Sequence, residues 1–405
     1  PPVRIGASHR TSTTHRDRGC DAEDDHDEED PQPGHGTDRA TVSRAPLCER
    51  ATRWRDQVWW VRASLARCRR ILRQMRTSRG WRKGSELVDP DHPPGPVDLP
   101  TDSSASDTTR PPGVRQRPGG PLRLRGKAFG PDDHVVMGIL NRTPDSFYDR
   151  GATMADAPAL ERVEQMVAEG AAIVDIGGVK AGEGEEVSVA EELRRTASFV
   201  AEVRARWPDL VLSVDTWRAP VARELCQAGA DLINDTWSAA DPELVTVAAE
   251  YDVGLVCSHT GGLPPRTDPK RPVYADVVAS VIERVCGLAD RAVAAGVRRD
   301  AILIDPTHDF GKTTAHSLEL TRRLDELVAT GWPVLVALSR KDFVGETLNL
   351  PVEERLPGTL AATAVAAWLG ARVFRTHDVR ETREVLDMVA SIRGTRPPAA
   401  PRRGL

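Results

Sequence analysis

The feature that most constrains the fold is a repeated alternation of short apolar segments with segments of helical hydrophobic period. Eight apolar segments predict strands, at residues 135–140, 172–176, 210–214, 232–234, 254–257, 302–305, 333–338 and 372–374. Each is followed by a segment whose apolar residues are three and four apart, which is typical of an amphipathic helix. Eight such units in roughly 270 residues predict an α/β fold of the closed (β/α)8, or TIM barrel, class, which typically needs ~250 residues.

The alternative fold is an open, doubly wound sheet that binds a dinucleotide. Such a sheet requires a glycine-rich fingerprint after its first strand, but the chain reads Asn141-Arg142-Thr143-Pro144 there. The segment at residues 310–313 ends like a phosphate-binding P-loop, yet Pro306 occupies the position that needs the first glycine. The pattern therefore favours the barrel, with Lys312 as a residue that starts the next helix or braces the rim.

The ends of the chain differ in composition from the region expected to form the barrel, residues 125–393. Residues 1–124 contain an acidic run at 21–30 and many Pro, Gly, Ser and Arg residues, which predicts a largely disordered extension. Residues 54–75 are an exception, because their apolar positions step by three and four between arginines and predict a basic amphipathic helix. That helix either binds a partner, nucleic acid or membrane surface, or is only a solvated segment or one that is not made in the cell. Residues 394–405 are expected to form a flexible tail.

Composition limits the classes of partner and the compartment. The net charge of −5 gives no reason to expect nucleic-acid binding by the whole chain. No apolar run approaches the ~18 residues that span a bilayer, so we expect no membrane partner. The six cysteines form no CxxC pair and no zinc spacing, which is typical of reduced thiols in a cytosol. We therefore expect a cytoplasmic protein that acts on small molecules.

Polar residues stand where the predicted strands end: Asn141, Asp175, Asp215, Asn234, Asp235, His259, Asp305, Lys341, Arg375 and His377. In a barrel the carboxyl ends of all strands converge on one face, so these residues are expected to meet there. One group offers an amide and oxygen acceptors suited to a flat heterocycle with N–H donors, namely Asp215, Asn234 and Asp305. A second group suits an anion together with a metal ion, namely Asn141, Arg375 and His377, with Ser339 and Lys341 close by. For Asp175 and Asp235 alone, capping of the following helix is an equally good interpretation.

Seven motifs at these strand ends carry a resemblance to a known family: Asn-x-Thr-Pro-Asp-Ser-Phe (141–147), Asp-Ile-Gly-Gly (175–178), Ser-Val-Asp-Thr (213–216), Ile-Asn-Asp (233–235), Asp-Pro (305–306) with Phe-Gly-Lys-Thr (310–313), Leu-Ser-Arg-Lys (338–341) and Arg-Thr-His-Asp-Val (375–379). In this order, over about residues 125–393, the chain resembles dihydropteroate synthase, a folate-pathway enzyme with a barrel fold. The resemblance implies a reaction of (7,8-dihydropterin-6-yl)methyl diphosphate with 4-aminobenzoate that releases diphosphate. It also implies a homodimer.

The same resemblance implies roles for individual residues. The pterin would be held by Asp215, Asn234, Asp305 and Lys341. The diphosphate would be bound by Arg375 and His377, with Thr376 between them, and Asn141 would bind the Mg²⁺ that accompanies it. Lys341, Arg375 and His377 are the expected catalytic residues.

The chain departs from the family in the loops that follow two of the strands. The family usually continues from Gly178 with Glu-Ser-Thr-Arg-Pro-Gly, whereas residues 179–184 here read Val-Lys-Ala-Gly-Glu-Gly. Ala181 and Gly182 therefore remove a hydroxyl and a cation from the loop that helps to organise 4-aminobenzoate, although Lys180 offers a charge from another position. Residues 307–309, Thr-His-Asp, replace a glycine-rich turn. Loss of one charged contact to the second substrate would cost ~1.5–3 kcal/mol, more than tenfold in binding.

These departures are similar to those of a divergent second copy of the enzyme that some actinobacterial genomes carry, and they leave three functions open. The first is an active dihydropteroate synthase, at full or reduced rate. The second is a paralogue that binds a pterin or another diphosphate ligand with no catalysis or a different one. The third is a non-catalytic partner protein, which the charged strand ends argue against because a scaffold has no need of them.

Overall fold

The computed structural model describes residues 120–143, 155–182, 184–267 and 272–403. The predicted amphipathic helix at residues 54–75 and the rest of the N-terminal extension up to residue 119 lie outside these ranges. No helix among the described residues is long and apolar enough to cross a membrane.

Eight parallel strands form the centre of the described chain. They are β3 (Val135–Asn141), β4 (Ile173–Gly177), β5 (Val211–Asp215), β6 (Leu232–Asp235), β7 (Gly254–Ser258), β8 (Ile302–Asp305), β9 (Leu335–Ala337) and β10 (Val373–Thr376). Their order in the sheet is β8-β7-β6-β5-β4-β3-β10-β9. A parallel bridge between Ile304 and Val334 joins the two ends of the sheet and closes it. The predicted barrel is therefore confirmed, with each strand within one or two residues of its predicted bounds.

Helices surround the strands: α1 (Asp156–Ala168), α2 (Val189–Arg206), α3 (Ala219–Gln227), α4 (Leu244–Glu250), α5 (Val277–Ala294), α6 (Thr314–Arg322), α7 (Leu324–Val328), α8 (Asp342–Leu348), α9 (Leu356–Leu369) and α10 (Val379–Ile392). The local sequence explains why each helix forms and which face it buries, as α5 illustrates. The Asp276 carboxylate accepts from the backbone N–H groups of residues 278 and 279 and caps the first turn. Val278, Val281 and Val285 are fully buried at spacings of three and four, so this face packs on the strands.

A two-stranded hairpin, β1 (Leu122–Leu124) and β2 (Lys127–Phe129), precedes the first barrel strand. Leu122 and Leu124 are buried in a cluster with residues at the starts of the barrel strands, such as Met137 and Ile173, so the hairpin covers the amino-terminal end of the barrel. Arg372 supports it, donating to the carbonyls of residues 120, 129 and 130. The packed unit thus begins before the predicted boundary between residues 124 and 125. With this end covered, the opposite end of the barrel is the open mouth.

Candidate active site

The barrel mouth is organised around the guanidinium of Arg375, near the end of β10. Its Nε donates to Asp175 Oδ2 at 2.6 Å, and its Nη2 donates to Asp215 Oδ2 at 2.7 Å. The amide of Asn234 donates to the same Asp175 oxygen at 3.0 Å. Four side chains from β4, β5, β6 and β10 therefore form one hydrogen-bonded group, which we call the mouth floor (Asp175, Asp215, Asn234 and Arg375). The parallel register brings them together, because β4, β5 and β6 end side by side.

Asp215 is the titratable acceptor of the mouth floor. Burial and, to a smaller extent, the neighbouring Asp175 raise the pKa of its carboxyl to about 7, although the charge of Arg375 opposes this shift. Its Oδ1 accepts from the Thr236 hydroxyl at 3.0 Å. A carboxylate has about four lone-pair sites, so two donors leave acceptor capacity for the N–H groups of a ligand.

Lys341 and Asp305 carry opposite charges near the mouth, and each influences the pKa of the other. The ammonium of Lys341 donates to the carbonyl of His308 and lies 4.7 Å from the centre of the Phe310 ring. Burial lowers the pKa of Lys341, and Asp309 and Asp305 oppose that shift. Burial likewise raises the pKa of Asp305, with the charge of Lys341 as the main opposing influence. The donor that binds Asp305 directly is the backbone N–H of Thr307, at 2.7 Å.

Lys312 holds the loop after β8 in place. Its ammonium is buried and donates to the carbonyls of His259, Thr307 and Phe310 at 2.8, 3.0 and 2.9 Å. Burial lowers its pKa to about 7. Thr307 and Asp309 have positive φ angles of 54° and 71°, a conformation that favours glycine and is consistent with the glycine-rich turn expected of the family. The structure thus supports the interpretation of Lys312 as a brace of the rim, because all three donors of its ammonium bind backbone carbonyls.

A cavity of 380 Å³, the main cavity, opens at this end of the barrel. Its lining includes five of the predicted site residues: Asn141, Asp215, Lys341, Arg375 and His377. Lys180, Ala181 and Gly182 also line the cavity. They belong to the loop at residues 179–184 that departs from the family, which we call the altered loop. Asn234 and Asp305 do not line the main cavity. Both are buried: the Asn234 amide donates to Asp175, and the Asp305 carboxylate accepts from the backbone N–H of Thr307.

Thr376, a third predicted site residue that does not line the main cavity, binds the helix layer instead. Its hydroxyl accepts from the Thr382 hydroxyl of α10 at 3.1 Å and from the backbone N–H of Asp378 at 3.2 Å. The reason is the alternation of side chains along a strand, since Arg375 faces the mouth and the next residue must face the helices. Thr376 therefore anchors the helix layer and does not contact a ligand in the main cavity by its side chain.

The structure bears out the expected position of Asp175 at the mouth and adds Asp309, which the sequence did not indicate. Asp175 is fully buried and accepts from two mouth-floor residues, so it is more than a helix cap. The available signal was a charged residue inside an otherwise apolar strand. Asp309 binds the Ser317 hydroxyl at 2.9 Å and the backbone N–H of Phe343 at 3.2 Å, linking the loop after β8 to α8. The sequence showed only that a turn had changed at this position.

The described residues contain no cluster of three or more His, Cys, Asp or Glu side chains that would hold a metal ion by themselves. Mg²⁺, however, is usually held by one or two protein oxygens together with substrate phosphates. The side-chain oxygen of Asn141, at the edge of the main cavity, fits that mode of binding.

Known proteins are similar to this chain over the barrel. A family model described as a pterin binding enzyme matches residues 137–377. An inactive dihydropteroate synthase 2 from Mycobacterium leprae is 58% identical over 286 residues, which cover 70% of this chain and 98% of the relative. The dihydropteroate synthase of Escherichia coli is 39% identical over 255 residues, covering 63% of this chain and 90% of that protein.

A solved structure of a dihydropteroate synthase has a similar fold. The dihydropteroate synthase of Thermus thermophilus in complex with 4-aminobenzoate superimposes with a TM-score of 0.60 at 38% identity, covering 67% of this chain and 99% of that one. The resemblance found in the seven motifs is thereby confirmed. This chain belongs to the pterin-binding enzyme family and, within it, to the dihydropteroate synthases.

Proposed function

We propose that this protein is a dihydropteroate synthase-type transferase. It retains the binding site for the pterin diphosphate but condenses this substrate with 4-aminobenzoate at a low rate. The observation that carries the proposal is the convergence of Asn141, Asp215, Lys341, Arg375 and His377 on one cavity. A volume of 380 Å³ lies within the ~300–1,000 Å³ that is usual for small-molecule sites.

The mouth floor supports the pterin part of the proposal. A pterin presents several N–H donors on one edge, and buried carboxylates are the acceptors that match them. Asp215 would bind that edge from the lining of the main cavity, and Lys341 would donate to a ring acceptor. Asn234 and Asp305 would bind it where the pterin reaches beyond that lining. Because Asp215 is mostly buried and Asp305 almost completely so, water competes weakly with the ligand for them.

The reaction breaks the C–O bond between the pterin methylene and diphosphate. The electron pair leaves with the diphosphate oxygen. The aryl amine nitrogen forms the new bond to the methylene carbon and then loses a proton to solvent. Arg375 and His377 would bind the departing diphosphate, which places positive charge where negative charge develops. Asp215 and Asp305 would stabilise the positive charge that develops on the pterin.

The donors fit a role for Mg²⁺, with Asn141 as the protein ligand. The ion, when bound with the diphosphate, would neutralise charge on the leaving group. Arg375 is held by Asp175 and Asp215. To reach a diphosphate, its guanidinium would have to share or exchange one of these bonds.

The expectation of slow turnover follows from the altered loop. Ala181 and Gly182 line the main cavity but bring neither the hydroxyl nor the cation of the family's usual loop. A misplaced second substrate reacts slowly even when it binds, because rate depends steeply on the alignment of the reacting atoms. The Mycobacterium leprae relative is named inactive, which agrees with the low rate expected here.

A turnover assay with the pterin diphosphate, Mg²⁺ and 4-aminobenzoate tests the proposal, run beside a calorimetric titration of the pterin diphosphate alone. We expect binding and a low but measurable rate. Binding without any product would instead select a paralogue that holds the ligand without this catalysis. Absence of binding would refute the proposed pterin site.

We also propose a homodimer in the cytosol. The dimer is supported by an apolar face on α9 and α10, where Val365, Trp368, Met388 and Ile392 are exposed. The reducing compartment is supported by Cys226, Cys257 and Cys286, which are unpaired thiols. Sedimentation of the wild type should give a dimer, and Trp368→Glu should give a monomer. A wild-type monomer at micromolar concentration would refute the dimer.

A further inference from the structure

A second, smaller cavity of 180 Å³ adjoins the main cavity. We call it the side chamber. It shares Ala181, Gly182, Asp309, Phe310 and Asp342 with the main cavity, and Trp237, Arg266 and Thr267 complete its lining. It is smaller than the ~300 Å³ of a typical small-molecule pocket, so it has room for a single ring with small substituents.

Two aromatic side chains make the side chamber suitable for a flat ring. The rings of Trp237 and Phe310 meet edge to face, with centroids 5.3 Å apart and an interplanar angle of 78°. Trp237 is buried, which fixes the position of this wall. A ligand ring beside them would gain both apolar contact and the geometric preference of aromatic pairs.

The charged residues that line the side chamber differ in whether an opposite charge within the protein compensates them. Asp342 forms an ion pair with Arg355 at 2.8 Å. Both oxygens of Asp309 accept hydrogen bonds, from Ser317 and Phe343, and its charge acts on Lys341. The two carboxylates of the lining are thus already compensated within the protein.

Arg266 differs from both of them. Its Nε donates to the carbonyl of Gly182 at 3.1 Å and its Nη1 to the carbonyl of Glu185 at 2.6 Å. Both partners are neutral, and among the described residues no carboxylate forms an ion pair with this guanidinium. Arg266 is therefore the cation of the side chamber whose charge a ligand can still neutralise.

We propose that Arg266 determines specificity for the second substrate by binding the carboxylate of an aryl amine whose ring lies in the side chamber. The inference rests on the proposed function and names the residue that recognises the nucleophile's anionic end. Arg266 comes from the loop between β7 and α5 and reaches the altered loop at Gly182. It thus supplies a cation across the mouth where residue 182 has none. Lys180 lines the main cavity but not the side chamber, so it does not fill this role.

Two probe ligands test this role: 4-aminobenzoate and its uncharged amide, 4-aminobenzamide. Each is titrated calorimetrically into the wild type, Arg266→Gln and Arg322→Gln, with and without an unphosphorylated pterin, which lacks the leaving group and cannot react. The control residue, Arg322, is an exposed arginine in the last turn of α6. Because the helices run antiparallel to the strands, this turn lies at the end of the barrel opposite the mouth. A charge-assisted contact predicts that the wild type prefers the acid by about tenfold or more. Arg266→Gln should reduce this preference to less than about twofold, and Arg322→Gln should keep it.

The amide separates recognition of charge from support of the loop. If Arg266 only held residues 182 and 185 in place, its replacement would weaken the acid and the amide by the same factor, and the proposal would be overturned. A wild type that binds both ligands equally, or binds neither under any condition, also overturns it. Loss of pterin binding with the acid preference intact would refute the proposed function but leave the role of Arg266 standing.

Discussion

The mouth floor and the loop at residues 179–184 contribute to the same opening but are built differently. Asp175, Asp215, Asn234 and Arg375 come from strand ends, are largely buried and bind one another through side chains. Ala181 and Gly182 come from a loop, and that loop is held to another loop through the backbone carbonyls that Arg266 contacts.

This contrast explains which part of the mouth can change. Every charged residue of the floor compensates another one, so a single replacement leaves a buried charge without its partner. Backbone carbonyls accept a hydrogen bond whatever side chain they carry, so the loop tolerates new residues. The second-substrate side of the mouth is thus free to diverge while the pterin side is held by its own electrostatics.

The largest expected effect is on the floor. Arg375→Met removes the cation between Asp175 and Asp215, and breaking a buried ion pair typically costs about 3–5 kcal/mol. We expect the free energy of unfolding in urea at pH 8, where Asp215 is mostly ionised because its pKa is about 7, to fall by that amount. Arg322→Gln, on the barrel exterior, should change it by less than about 0.5 kcal/mol. A loss below about 1 kcal/mol for Arg375→Met would show that the floor is not electrostatically locked.

A smaller effect is expected when the loop regains the residues usual for the family. The double substitution Ala181→Thr with Gly182→Arg should raise kcat/KM for 4-aminobenzoate by about tenfold or more, since one charged contact contributes ~1.5–3 kcal/mol. The backbone permits it, because a Cβ at residue 182 would meet only Lys180 Cε, at 3.8 Å. Ala181→Thr with Gly182→Gln is the control that lacks the cation. Equal rates for the two double variants would mean that the missing charge does not limit turnover.

The smallest of the three effects is a pH dependence of pterin binding. The raised pKa of Asp215, about 7, means that its neutral form predominates below this pH and its ionised, accepting form above it. The ionised fraction rises about tenfold between pH 6 and 8, and we expect the affinity for an unphosphorylated pterin to rise with it. Asp215→Asn should remove this component while any titration of the pterin itself persists. Identical pH profiles for both proteins would exclude Asp215 as the titrating acceptor.

Much of the fold and part of the site could be predicted because the signals are local. The eight strands and the helices around them follow from hydrophobic period, and the polar residues at strand ends follow from where each period stops. The fold class and the family are confirmed. The ligand roles of Asp215, Asn234, Asp305, Lys341, Arg375 and His377, the Mg²⁺ at Asn141 and the homodimer stay predictions.

What the chain determined by itself was the barrel, the face of the barrel that carries the polar residues, and the loops that depart from the family, because each depends on residues close together in sequence. Only the tertiary structure decided the partners. Arg375 meets Asp175 two hundred residues away, and Lys312 gathers three carbonyls around its ammonium. Arg266 reaches a loop more than eighty residues earlier. No sequence period encodes such contacts, since they depend on how closure of the sheet brings separate loops to one mouth.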